Sequence, residues 1–69
     1  MRYLWVKKVL HKKRCYMLVQ DDGHVTESAG VVYVDGYQSF RVVRDGCNDI
    51  SFTTRADAQA YLLGVVRFT

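Results

Sequence analysis

Apolar and polar residues alternate in short runs over most of the chain, and the period changes near Thr54. Five runs, 3–10, 15–20, 31–34, 37–43 and 49–52, are rich in Val, Tyr and Phe. Such residues fit a pleated, half-buried surface, so each run predicts a strand. Three Asp-Gly pairs punctuate them: Asp22-Gly23, Asp35-Gly36 and Asp45-Gly46. Glycine reaches positive φ without a steric penalty and Asp tolerates it, which makes the dipeptide a hairpin signal. The polar segment 11–14, His11-Lys12-Lys13-Arg14, separates the first two runs and reads as a further hairpin tip. Ser28-Ala29-Gly30 interrupts the third run as a bulge or a bend. No proline breaks any strand. The pattern predicts an antiparallel meander of about five strands.

Register follows from keeping apolar side chains on one face, because a slip of one residue turns every side chain over. A three-residue loop at Arg44-Asp45-Gly46 sets Val43 opposite Cys47 and Phe40 opposite Ile50. Phe40, Val42, Ile50 and Phe52 then share a face. A two-residue turn at Asp35-Gly36 pairs Val34 with Tyr37 and adds Val31 and Tyr33 to that face. The other face carries Tyr37, Ser39, Arg41 and Val43 and is half polar.

From Thr54 the period becomes helical. Thr54-Arg55-Ala56-Asp57 has the form of a capping box with Asp in place of Glu. Ala58, Tyr61, Leu62 and Val65 follow at i, i+3, i+4 and i+7, while Arg55 and Gln59 point away. Gly64 marks the last turn, and residues 65–68 either fray or add a short strand. A helix of about ten residues is not stable alone. It therefore lies on the apolar sheet face, giving one α+β domain over 1–69: an antiparallel meander of about five strands packed on one C-terminal helix at about 54–65. The expected core is Phe40, Val42, Ile50, Phe52, Ala58, Tyr61 and Leu62.

Charge refines this picture. The net charge is +3, but residues 1–20 hold six cations (Arg2, Lys7, Lys8, Lys12, Lys13 and Arg14) and no acid. Residues 21–69 hold seven acids against Arg41, Arg44, Arg55 and Arg67. Such asymmetry predicts a basic patch at one edge or tip. Two readings stand side by side: lysines that keep an edge strand from aggregating, and cations that meet an anionic partner. No apolar run approaches the length of a membrane span, and the first residues lack the apolar stretch of a secretory signal. The expected compartment is the cytoplasm, with no membrane partner.

The chemistry-bearing residues point to binding rather than catalysis. Only His11 and Cys15 are close among the potential metal ligands, and no paired C-x-x-C spacing occurs, so no metal and no cofactor is expected. There is no Ser-His-Asp order, glycine-rich phosphate loop or H-E-x-x-H motif. A two-layer sheet this small rarely encloses the roughly 300 Å³ that a small-molecule substrate needs. The basic and aromatic residues form the stronger constellation. Tyr3, Trp5 and Lys7 share one face of the first strand, Tyr16 lies in its neighbour, and Lys12, Lys13 and Arg14 crown the hairpin. Cations neutralise phosphates and aromatic rings stack on bases. Equally, Tyr3 and Trp5 are the large side chains a small core requires.

Residues 37–62 carry a family resemblance. The run from Tyr37 to Val43, Asp45-Gly46, Ile50-Ser51-Phe52-Thr53-Thr54 and then Ala56, Ala58, Ala60, Tyr61 and Leu62 resemble the last two strands and helix of AP2-like and integrase arm-type DNA-binding domains. The resemblance implies a three-stranded sheet laid in the DNA major groove, with Arg41 and Arg44 on the contacting strand. In size and element order the chain is also similar to small accessory proteins of bacteriophages and mobile elements, including anti-CRISPR proteins. That likeness implies a protein-binding inhibitor that covers a surface of a host defence complex. Either way the expectation is a non-catalytic binding module for nucleic acid or for a host nucleoprotein or protein complex. Its candidate contacts are Lys7, Lys8, Lys12, Lys13, Arg14, Tyr37, Arg41 and Arg44.

Overall fold

The computed structural model describes residues 2–67. Five strands, β1 (Arg2–Leu10), β2 (Lys13–Asp21), β3 (Thr26–Gly36), β4 (Ser39–Val43) and β5 (Ile50–Phe52), precede one helix, α1 (Arg55–Arg67). Every strand pairs antiparallel with the next, in the order β1-β2-β3-β4-β5. The α+β architecture is therefore the one its periodicity predicts. Short connections explain the order, since a two- to six-residue link brings a strand back beside its predecessor.

Helix α1 lies across β3, β4 and β5. Leu18, Val32, Val42, Ala58 and Leu62 form the buried core, with Tyr3, Trp5, Tyr16, Phe40 and Phe52 packed around it. Large aromatic side chains thus do the work of a core too small to be filled by aliphatic groups alone. Gly30 admits the helix: a Cβ there would stand 2.7 Å from Leu62 Cδ1. Ala29 opposite the Leu18/Val19 step is the extra residue of a bulge, which the Ser28-Ala29-Gly30 stretch had marked. At the helix start Thr54 Oγ1 accepts from the Asp57 N–H at 3.2 Å, one half of the capping box. Gly64 sits in the last turn, and the helix continues to Arg67; Phe68 lies outside the described residues.

Several expectations are corrected. The first hairpin turns in two residues, His11-Lys12, so Lys13 and Arg14 belong to β2, opposite Leu10 and Val9. The second hairpin turns at Tyr37-Gln38 rather than Asp35-Gly36, because Asp35 is taken up in a bulge between Val34 and Gly36. That odd shift in pairing puts Val32 and Val34 beneath the helix and moves Val31 and Tyr33 to the other face. The third connection has six residues, 44–49. Asp45-Gly46 does form a turn, the Cys47 N–H donating to the Arg44 carbonyl at 3.2 Å, but pairing resumes only at Ile50. Phe40 then opposes Phe52 instead of Ile50, an even shift that leaves the inward set intact. Ile50 and Tyr61 are more than one-third exposed, so neither belongs to the buried core, although the Tyr61 ring packs at a tilt of 42° against Phe52, centroids 5.3 Å apart. Leu18 and Val32, fully buried, take their place.

Candidate functional site

The meander sorts its turns between two ends. The β1–β2 turn, the β3–β4 turn and the start of α1 share one end. The β2–β3 turn and the 44–49 loop share the other. Five of the seven acids, Asp21, Asp22, Glu27, Asp45 and Asp49, lie at or beside the second end. Lys12, Lys13 and Arg14 crown the first. Antiparallel pairing thus converts an asymmetry along the sequence into one along the molecule.

The backbone at the basic end is unusual. His11, Lys12 and Gln38 have φ of 54°, 64° and 53°, and they are the described non-glycine residues at positive φ. Two successive residues of this kind make a turn whose twist matches a tight hairpin, normally written Asn-Gly. Each L-residue there costs roughly 1–2 kcal/mol. Gly23 and Gly46 fill the corresponding need at the acidic end.

The cations divide into tied and untied. Lys13 Nζ lies 2.7 Å from Asp35 Oδ1, and Arg41 Nε lies 2.9 Å from Asp35 Oδ2. Arg41 also reaches Asp49 at 3.2 Å and lies over the Tyr33 ring at 5.1 Å. The Lys13 ammonium, and after it the Arg41 guanidinium, hold the Asp35 carboxyl below the usual carboxylate range. Lys13 is therefore compensated across the sheet, by an acid 22 residues away. Lys7, Lys8, Lys12 and Arg14 form no ion pair among the described residues. Arg44 leaves β4 at the acidic end, so the structure separates it from the hairpin cluster.

One further cation joins the group from the helix. Arg55 Nη1 donates to Tyr16 Oη at 3.1 Å, and its guanidinium carbon lies 5.1 Å from the ring centre. The hydrogen bond from Arg55, reinforced by the charges of Arg55, Lys7 and Arg14, pulls the Tyr16 phenol below its ordinary value. The helical pattern had Arg55 pointing away from the apolar face and left it out of the candidate contacts; it reaches back to Tyr16 on β2 instead. Nothing in spacing alone could relate it to Tyr16, 39 positions earlier.

Two open depressions mark this end. One, of about 660 Å³, is lined by Lys12, Arg14, Gly36, Tyr37, Gln38 and Phe40 among others. The second, about 450 Å³, runs from Arg14 and Tyr16 to Arg55 and Gln59. They share Arg14, Val34 and Phe40 and form one continuous surface. Tyr37 stands 91% exposed at its rim. Trp5 and Tyr3 pack on the core instead. Cys15 is buried and His11 is exposed at the turn; among the described residues no three His, Cys, Asp or Glu side chains gather as metal ligands. No helix among those residues is long and apolar enough to cross a membrane.

No family model, curated protein or solved structure matches the chain.

Proposed function

We propose that this protein is a non-catalytic nucleic-acid-binding module that works through its basic end. The observation that carries this reading is the convergence of cations from separate elements beside an exposed Tyr37: Lys7, Lys12 and Arg14 of the first hairpin, which form no ion pair among the described residues, and the Tyr16-bound Arg55 of the helix. Like charges so placed repel even through water. A polyanion offsets that repulsion and releases counterions as it binds. The positive-φ residues at both tips support the reading, since backbone strain concentrates where geometry is held for use. Arg41, bound to Asp35 and Asp49, acts as a brace, which favours the hairpin end over β4 as the contact surface. The role fits a small accessory protein acting in the cytoplasm.

Salt tests it. Affinity for a mixed-sequence oligonucleotide, read by fluorescence anisotropy, falls steeply between roughly 50 and 200 mM salt. Replacing Lys12 and Arg14 by Ala lowers the log–log slope on duplex by about 2, roughly 0.9 for each lost phosphate contact. An unchanged slope removes the hairpin from the interface.

A second reading, a protein-binding inhibitor of a host complex, draws on the sheet face opposite α1. Leu4, Val6, Met17 and Val31 line up there by register, and Leu4 is 43% exposed. An apolar anchor on that face gives binding with little salt dependence. Leu4→Asp would then abolish capture of the partner while leaving oligonucleotide affinity alone.

A further inference from the structure

We infer that the basic end selects unpaired strands over duplex, with Tyr37 as a stacking platform for an exposed base. The inference rests on the nucleic-acid reading and narrows it to one ligand class, single-stranded nucleic acid.

Three observations carry it. First, Tyr37 is an aromatic residue set at the crest of a two-residue turn and left 91% in water. Its neighbour Gln38 holds φ at 53°, a conformation an Asn or Gly would adopt more readily. A polar residue at position 37 would close the same turn, so the ring contributes nothing to the fold that its exposure would explain. Second, the surface beside it is concave and mixed in character. The Phe40 side chain, half-buried, forms part of its floor, while Lys12 and Arg14 stand at its wall. Third, the two hairpin tips stand two inter-strand spacings apart, about 10 Å. A ring and a cation so placed can meet a base and a backbone phosphate of the same strand.

These features discriminate between the two forms of nucleic acid. A duplex keeps the faces of its bases inside the stack, so it offers Tyr37 groove edges and backbone but no free face to stack on. An unpaired strand exposes every base face, and stacking on an aromatic ring is indifferent to sequence. Arg55 over the Tyr16 ring extends the same chemistry along the second depression, where a following phosphate would meet Arg14 and Arg55 together. RNA and DNA share these base faces and phosphates, so an unpaired strand of either fits the site.

The experiment is a set of anisotropy titrations at one fixed salt concentration, using dye-labelled dT12, rU12 and a 12-base-pair duplex. The wild-type protein is expected to bind one or both single strands at least tenfold more tightly than duplex. Comparison of dT12 with rU12 tells whether DNA or RNA is the preferred source. Tyr37→Ala is expected to weaken the single strands about tenfold and to leave duplex affinity unchanged. Tyr37→Phe is expected to retain wild-type affinity, since the ring and not the hydroxyl stacks. Because Tyr37 lies outside the core, the thermal midpoint of each variant checks that the fold is intact. Equal or tighter binding of duplex overturns the inference and leaves the nucleic-acid reading standing, as does unchanged single-strand affinity in Tyr37→Ala. Binding to none of the three probes overturns both.

Discussion

The two ends of the sheet solve one geometric problem with different residues. At the acidic end the chain reverses through Gly23 and Gly46, which take φ of 95° and 78° freely. Nearby carboxylates serve the backbone: Asp22 accepts from the His24 and Val25 N–H groups at 2.9 and 2.8 Å, and Asp21 accepts from Gly23 at 2.9 Å. The Val25 and His24 amides hold the Asp22 carboxyl below its usual range. At the basic end the positive-φ positions hold His11, Lys12 and Gln38, and Lys12 has no ion pair among the described residues. The acidic end meets the need with glycines and carboxylates that accept from the backbone. The basic end keeps side chains where glycine would fold more easily, and that difference supports the use proposed for it.

Several variants tell the two ends apart. The largest effect lies in the core that both ends share. Leu62 is fully buried against Gly30, and Leu62→Ala is expected to lower stability by about 2–5 kcal/mol in urea unfolding. A smaller loss would mean that α1 is not what fixes the two ends in place. Next comes the strained tip. Replacing His11-Lys12 by Asn-Gly, the preferred pair for such a turn, should raise stability by about 1–2 kcal/mol while weakening oligonucleotide binding. No gain in thermal midpoint would show that the tip stores no strain. The reverse experiment is Gly46→Ala at the acidic end. No atom lies within 4 Å of the added Cβ, so the expected loss of about 1 kcal/mol is a pure backbone effect.

The smallest effect concerns Asp35. Its carboxyl is held below the ordinary value of about 3.9 by Lys13 first and Arg41 second. A depressed carboxyl stabilises the fold at pH values above its unfolded value, and this contribution is lost as pH falls through the folded value. Asp35→Asn is therefore expected to cost about 1 kcal/mol or less at neutral pH and to flatten the fall in stability below about pH 4. A variant whose acid unfolding curve overlays that of wild type would place the Lys13 and Arg41 contacts outside the energetics of the fold.

How much of this was legible in the sequence depended on the range of the interaction. Thr54 as the cap, Ala58 and Leu62 as the buried stripe and the strand runs all rest on neighbours a few positions apart, and they emerged from periodicity. The Asp35-Gly36 turn did not, because the dipeptide rule describes a regular hairpin and a bulge uses the same residues differently. The 44–49 loop was open for another reason. Opposing Phe40 to Ile50 or to Phe52 buries the same residues, so period-two patterning cannot choose between them. In the candidate site the crown of Lys12, Lys13 and Arg14 was visible as a cluster. Its sorting into a tied Lys13 and untied neighbours was not, because Asp35 reaches Lys13 from 22 positions along the chain on β3, and Arg55 joins from the helix.

The free margin of β1 carries one more consequence. As the first strand in the sheet it has no second strand paired along its outer margin among the described residues, over a nine-residue run that contains no proline. Such a margin is a template on which a second molecule can add a strand, and Lys7 and Lys8 guard it by charge. Charge guards only over the Debye length, which shrinks from about 10 Å at 0.1 M salt to about 3 Å at 1 M. High salt, the usual means of stripping nucleic acid from a basic protein, thus also lowers the barrier to self-association. Under the proposed function, the salt that releases the ligand is also the salt that unguards this strand.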